Sequence, residues 1–325
     1  MKRRIVAIGM LALAILIGIM IPVLAFTPVG ARIATSMTPP TATPSPTPVL
    51  PTPTPLPTPK PVLTVKGTPP LVSATASYLI DMDTGHILEN INGYKPLPMA
   101  STTKIMTALI AIEAGQLDQP VTVTQDELAQ VPADASSAGL VVGETLTLKD
   151  LLYGLMLPSG DDAALVIADA LGGTTDNFVL RMNLFAQRLR LFQTHYTNPH
   201  GLNLAGDQNH YTSASDLARL TEYAMHIALF EQIVHTQDYK LAATQQHHAH
   251  DWVNTNTLLE NYPGLLGVKT GHTDAAGWCL VFAATRKGHH LLGVVLNDPT
   301  QQLRDQDAAT LLNWGFALPM RPPVL

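Results

Sequence analysis

By its apolar and polar positions, the chain divides into three stretches. The first 26 residues, MKRRIVAIGMLALAILIGIMIPVLAF, are almost continuously apolar after Lys2, Arg3 and Arg4. A run of about 20 apolar residues matches a membrane-spanning helix and exceeds the ~7–15-residue core of a secretory signal. The basic end stays inside. Residues 1–27 therefore read as a signal-anchor that leaves everything after it outside the cytoplasm; cleavage as a signal peptide is the alternative. Residues 28–70 include TPPTATPSPTPVLPTPTPLPTPKP, which has too little apolar surface for a core and favours extended polyproline II. It reads as a stiff stalk.

Residues 71–325 carry the periodicities of a folded domain. ASYLIDMDTGHILENING alternates around turn signals and predicts a hairpin. Helices are expected over 101–114, closed by Gly115, then over 148–157, 161–171 and 174–192. Ser213-x-x-Asp216 resembles a capping box opening a helix through Phe230. LLGVKTG, GWCLVFAATR and HHLLGVVL, separated by glycine turns, predict adjacent antiparallel strands, and QQLRDQDAATLLNWGF a closing helix. Strands, helices, strands and helix in that order predict one α+β domain, its antiparallel sheet built from both ends and a helical region inserted between them.

Composition narrows the partners. The net charge of −6 comes with no basic run beyond the N-terminus, which excludes nucleic acid. The single cysteine, Cys279, excludes an internal disulfide and a cysteine metal site; within WCLVFAA it reads as core. The histidines of QQHHAHDW lack an evident further ligand and read as an exposed polar loop. No glycine-rich phosphate loop occurs, so neither metal nor cofactor is expected.

Three segments carry chemistry. In MASTTKIMT, Ser101 and Lys104 are three apart, so a helix puts them on one face. A serine needs a base, and a lysine serves if its pKa is lowered. PSGDDAA places Ser159 and Asp161 at a turn opening a helix. VKTGHT places Lys269 and Thr270 at a strand end, where Gly271 lets another backbone lie close. S-x-x-K, S-D-N and K-T-G form the set of penicillin-binding proteins and class A β-lactamases.

With PMASTTKIMTALIAIE, LMLPSGDDAALVIAD, NPHGLN, YTSASDLARL and GVKTGHTDAAGWCLVFAAT, the chain from about Tyr78 to Leu296 resembles the D-alanyl-D-alanine carboxypeptidases, the low-molecular-weight penicillin-binding proteins. The resemblance implies a β-lactamase/transpeptidase-like fold and a serine acyl-enzyme acting on peptidoglycan stem peptides, with β-lactams as covalent inhibitors. It casts Ser101 as nucleophile and Lys104 as general base. Ser159 and Lys269 relay protons and orient substrate, and Thr270 and Thr273 hold its carboxylate. The backbone N–H groups of Ser101 and His272 form the oxyanion hole. His200 in NPHGLN is expected to be structural.

The chain departs from the family pattern twice. Asp161 stands where Asn is usual, and a carboxylate near Lys104 favours the ammonium that cannot act as a base. The arginine many relatives carry before the last strand corresponds to His290. A second β-rich domain and a C-terminal anchor are not expected. A catalytically weakened wall-binding protein, a crosslink endopeptidase and a β-lactamase are the competing readings. The last is weakened because no glutamate, which class A enzymes need for deacylation, lies between Asp161 and Thr221.

Overall fold

A computed structural model describes Lys60–Arg321 except Asp134 and residues 203–207. The expected signal-anchor and most of the stalk lie outside these residues. Val62–Leu63 (β1), inside the stretch read as stalk, pairs antiparallel with Met320–Arg321 (β11).

The hairpin expected near the start forms from Ala76–Asp81 (β2) and His86–Ile91 (β3). Leu265–Thr273 (β8), Gly277–Arg286 (β9) and His289–Asp298 (β10) complete an antiparallel sheet in the order β3-β2-β10-β9-β8. The fold is α+β, with the sheet drawn from both ends of the chain. β9 and β10 are covered on both faces, which is why they read as unbroken apolar runs. Successive side chains alternate between two cores: Val281 and Ala283 face the helical region, whereas Leu280 and Phe282 face the C-terminal helix Gln301–Ala317.

The inserted region centres on Lys104–Ala114 (α1), preceded by a 3-10 turn over Ala100–Thr103. All residues from Lys104 to Ala111 are buried, as expected of a helix apolar on every side. Gly115 closes it at φ 73°, the left-handed geometry glycine adopts freely. Around it pack Leu148–Met156 (α3) and Asp161–Gly172 (α4), after the short helix Gln125–Leu128 (α2).

Some boundaries moved for tertiary reasons. The helix expected over 174–192 runs Thr175–Arg188 (α5); Arg190 then takes φ 57°, Leu191 turns into the core and Phe192 is left exposed. Ser213 caps Ala214–Met225 (α6) by accepting the Asp216 N–H, but the Asp216 carboxylate binds Gln193 N and Thr194 Oγ1 instead of closing the box. The helix expected through Phe230 breaks at extended Ile227 and restarts as Ala228–His235 (α7). Pro120–Thr122 (β4) pairs antiparallel with Thr145–Thr147 (β5), and Asp238–Leu241 (β6) and His250–Val253 (β7) form an unexpected hairpin. The histidine loop is thus exposed at His248 but buried at His250, which stacks on buried Trp252. Cys279 is core as expected, and burial pushes its thiol up to about 12.

Candidate active site

The cleft opens where the edge strand β8 passes the first turn of α1. It holds about 470 Å³ and is lined by Ser101, Ser136, Ser159, Asp161, Thr255, Thr270, Gly271, His272, Trp278 and Arg304, among others. The three sequence segments, 168 residues apart from Ser101 to Lys269, converge here.

Helical spacing does what it predicts: Lys104 Nζ donates to Ser101 Oγ at 2.9 Å. Lys104 is fully buried and also donates to Asp161 Oδ1 at 2.5 Å and His200 O at 2.9 Å. Burial holds Lys104 below the usual lysine range, against the pull of Asp161. Burial likewise raises Asp161, against the pull of Lys104. Both shifts run toward a neutral amine beside a neutral acid. The second Asp161 oxygen is buried with no hydrogen-bond partner.

Lys269 is buried across the cleft floor and donates to the Thr270 carbonyl at 3.0 Å. Desolvation, then the neighbouring Lys104 charge, drive it well below the normal lysine range. Both lysines of the site are thus held below the usual lysine range by burial. His200 is also held neutral, lowered to about 3 by burial, Lys104 and His210, so its role toward Lys104 is a fixed carbonyl.

Close backbone approach sets the rest. A Cβ on Gly271 would lie 3.1 Å from the Ala100 Cβ, Ser101 N and Thr102 N, so β8 slides against the amide end of the turn. Ser159 is held at φ 66° between α3 and α4, a strained conformation for a non-glycine residue that functional sites retain. Thr270 Oγ1 hydrogen-bonds Thr255 Oγ1 at 2.7 Å, and the His272 ring lies 4.0 Å from that of Trp278.

The residues that the family pattern associates with the substrate carboxylate separate in the fold. Thr273 ends β8, and its hydroxyl accepts Ala276 N in the β8–β9 turn. His290 is at the opposite end of the sheet, paired across from Thr285 and bonded to Asp83. Among the described lining residues the cation is Arg304, one turn into the C-terminal helix, buried beside Asp305 with its guanidinium 5.7 Å from the Trp278 ring. Closeness to the last strand in sequence does not bring His290 to the site, because the β9–β10 hairpin carries it away from Lys269. Arg304 lies in a helix with no apolar stripe, so nothing in its spacing marks it as a cleft residue.

Asp162, which no motif singles out, shapes the opposite wall. Its carboxylate accepts Ser137 Oγ, Ala138 N, Leu140 N and its neighbour Ala163 N, pinning the loop that presents Ser136 to the cleft. Asp161 N donates to Ser136 O at 2.8 Å from the same loop.

Comparison with known proteins agrees with this geometry. The profile of the D-alanyl-D-alanine carboxypeptidase family, Peptidase_S11, matches residues 64–300. A D-alanyl-D-alanine carboxypeptidase of Streptomyces sp. (strain K15) is 37% identical over 264 residues, covering 77% of this chain and 90% of that protein. DacF of Bacillus subtilis is 34% identical over 250 residues, 75% of this chain and 62% of its own length. The crystal structure of the Streptomyces K15 DD-transpeptidase superposes with a TM-score of 0.73 at 37% identity, over 78% of this chain and all of that one. A carboxypeptidase structure from Mycobacterium tuberculosis superposes with a TM-score of 0.72 at 32% identity, over 79% of this chain and 96% of that one.

Proposed function

The chain belongs to the D-alanyl-D-alanine carboxypeptidase family, and we propose that it removes the terminal D-alanine of peptidoglycan stem peptides through an acyl-enzyme on Ser101. The observation that carries this reading is the 2.9 Å contact between Ser101 Oγ and a buried lysine of lowered pKa. Neutral Lys104 takes the Ser101 proton as Oγ attacks the D-Ala–D-Ala carbonyl. Oxyanion charge falls at the backbone N–H groups of Ser101 and His272, where each donor is worth about 2.7–4 kcal/mol in comparable enzymes. The proton passes to the leaving amine by way of Lys104, Ser159 and Lys269. D-alanine departs, and water hydrolyses the ester with the same base. Arg304, with the Thr270 hydroxyl, binds the substrate carboxylate, a pairing that suits the bidentate guanidinium.

β-lactams would acylate the same serine. Among the described residues the cleft lining includes no glutamate, which supports a carboxypeptidase over a class A β-lactamase. The basic start and apolar run of residues 1–27 support membrane anchoring and an extracytoplasmic location, where the substrate lies; among the described residues no single helix is long and apolar enough to cross a membrane.

The test is D-alanine release from a diacyl-Lys-D-Ala-D-Ala peptide by wild type and Ser101→Ala. Release from wild type that vanishes in a folded variant is expected, with loss of about 10³-fold or more. Release that persists in Ser101→Ala removes the acyl-enzyme. Adding an amine acceptor distinguishes hydrolysis from transfer, the activity named for the Streptomyces K15 structure.

A further inference from the structure

A second cluster of chemical groups lies at the far end of the sheet. There the β2–β3 turn meets the β9–β10 turn, about five strand residues beyond the Lys269 level. Asp81, Asp83 and His289 each offer one ligand atom, all within 4.8 Å of one another. Asp81 and His289 are buried, and only 4% of the Asp83 side chain is exposed.

The His289 ring is in an unusual position. Its Nε2 is 3.0 Å from Asp81 Oδ1 and its Nδ1 3.4 Å from Asp83 Oδ2. A neutral imidazole carries one N–H, so one ring nitrogen then faces a carboxylate lone pair to lone pair. A charged ring would pair with both carboxylates, but the buried Nε2 still has no aligned hydrogen-bond partner despite the short distance. Two donors each about 2.1 Å from one ion, at octahedral to tetrahedral angles, lie about 3.0–3.4 Å apart. The spacing is that of ligands sharing a cation.

We propose that Asp81, Asp83 and His289 bind a divalent first-row transition ion of the zinc type, stapling the two turns together. One imidazole with two carboxylates selects such an ion over magnesium or calcium, which take oxygen ligands. The turn already holds the carboxylates in place. Asp83 N and Thr84 Oγ1 donate to the two oxygens of Asp81, and His290 N to Asp83 Oδ2. Each of these oxygens keeps a lone pair for the ion. His290 Nδ1, 3.2 Å from Asp83 Oδ1, orients that carboxylate from outside. Lys60 pairs with Asp83 Oδ1 and is the competing cation; its side chain is 54% exposed and free to swing away. The ion ties Asp81 to a partner 208 residues later and is independent of the reaction in the cleft.

The experiment uses the full chain stripped with EDTA and titrated with Zn²⁺ by calorimetry. One saturable equivalent is expected, with a Tm rise of about 5 °C or more at a hundredfold excess over Kd. Asp83→Asn and His289→Gln weaken it at least tenfold, while His248→Gln, in the separate histidine loop, leaves it unchanged. X-ray absorption of the wild-type zinc complex reads one imidazole among oxygen ligands. The proposal is overturned if wild type takes up no saturable equivalent, if the equivalent survives both site variants or is lost with His248→Gln, or if two or more imidazoles coordinate. The wild-type measurements decide the matter even where a variant fails to fold.

Discussion

At Lys104, burial and a carboxylate oppose one another. Desolvation favours the free amine, and Asp161 at 2.5 Å favours the ammonium. Asp161→Asn removes the second influence and leaves the first, so Lys104 should deprotonate at lower pH. The acidic limb of the kcat/KM profile for D-alanine release should therefore move to lower pH in the variant, and neutral-pH activity should rise. A variant less active at every pH would give Asp161 a positive role in the chemistry. Arg304 is testable at the same scale. Arg304→Leu should lower kcat/KM about ten- to hundredfold, as for loss of ~1.5–3 kcal/mol in a hydrogen bond to a charged group, with most of the change in KM. Amidation of the substrate carboxylate should cost wild type much and the variant little.

Strand β8 and the turn over Ala100–Thr103 make the site by lying closer than side chains permit. Gly271→Ala places a methyl at 3.1 Å from Ser101 N and Thr102 N. The strand must back away by a few tenths of an ångström, which misaligns the two oxyanion donors. We expect the variant to fold with a loss of about 1–3 kcal/mol and to be acylated by fluorescent penicillin up to about a hundredfold more slowly. Gly201 is less forgiving. At φ 100° its Cβ would fall 1.9 Å from Ala100 O, so Gly201→Ala should lower Tm more than Gly271→Ala. Asp162 binds the other wall: Asp162→Ala strands the Ala138 and Leu140 N–H groups and should raise proteolytic cleavage in the 135–140 loop.

Across the whole molecule, the end of β10 and the C-terminal helix share a buried carboxyl pair. Neither oxygen of Asp298 receives a hydrogen bond from a donor, and the Asp307 carboxylate beside it is committed to Ser73 N and Ala74 N. Burial, then Asp307, push Asp298 up to about 8. The folded state thus holds a proton that the unfolded chain releases near pH 4. Stability from this group is present at low pH and is lost as pH rises from about 4 through about 8. Asp298→Asn, which mimics the protonated acid, should leave Tm nearly unchanged at pH 4 and raise it at pH 8–9. An equal shift at both pH values would show that Asp298 does not titrate in this range.

Local pattern determined much of this protein. The alternation of the first hairpin, the apolar runs of β9 and β10, the helical face shared by Ser101 and Lys104, and the glycine stop at Gly115 follow from spacing, because period and φ preference act within a few residues. The three motif segments were legible as candidates for the same reason. Tertiary structure decided what depends on where distant segments meet. It put Arg304 rather than His290 in the cleft, turned Asp216 away from its own helix, buried His250, and set Asp81 against His289. Each of these is fixed by packing between segments far apart in the chain, and no periodicity along the chain records which of several exposed-looking polar residues the fold will enclose.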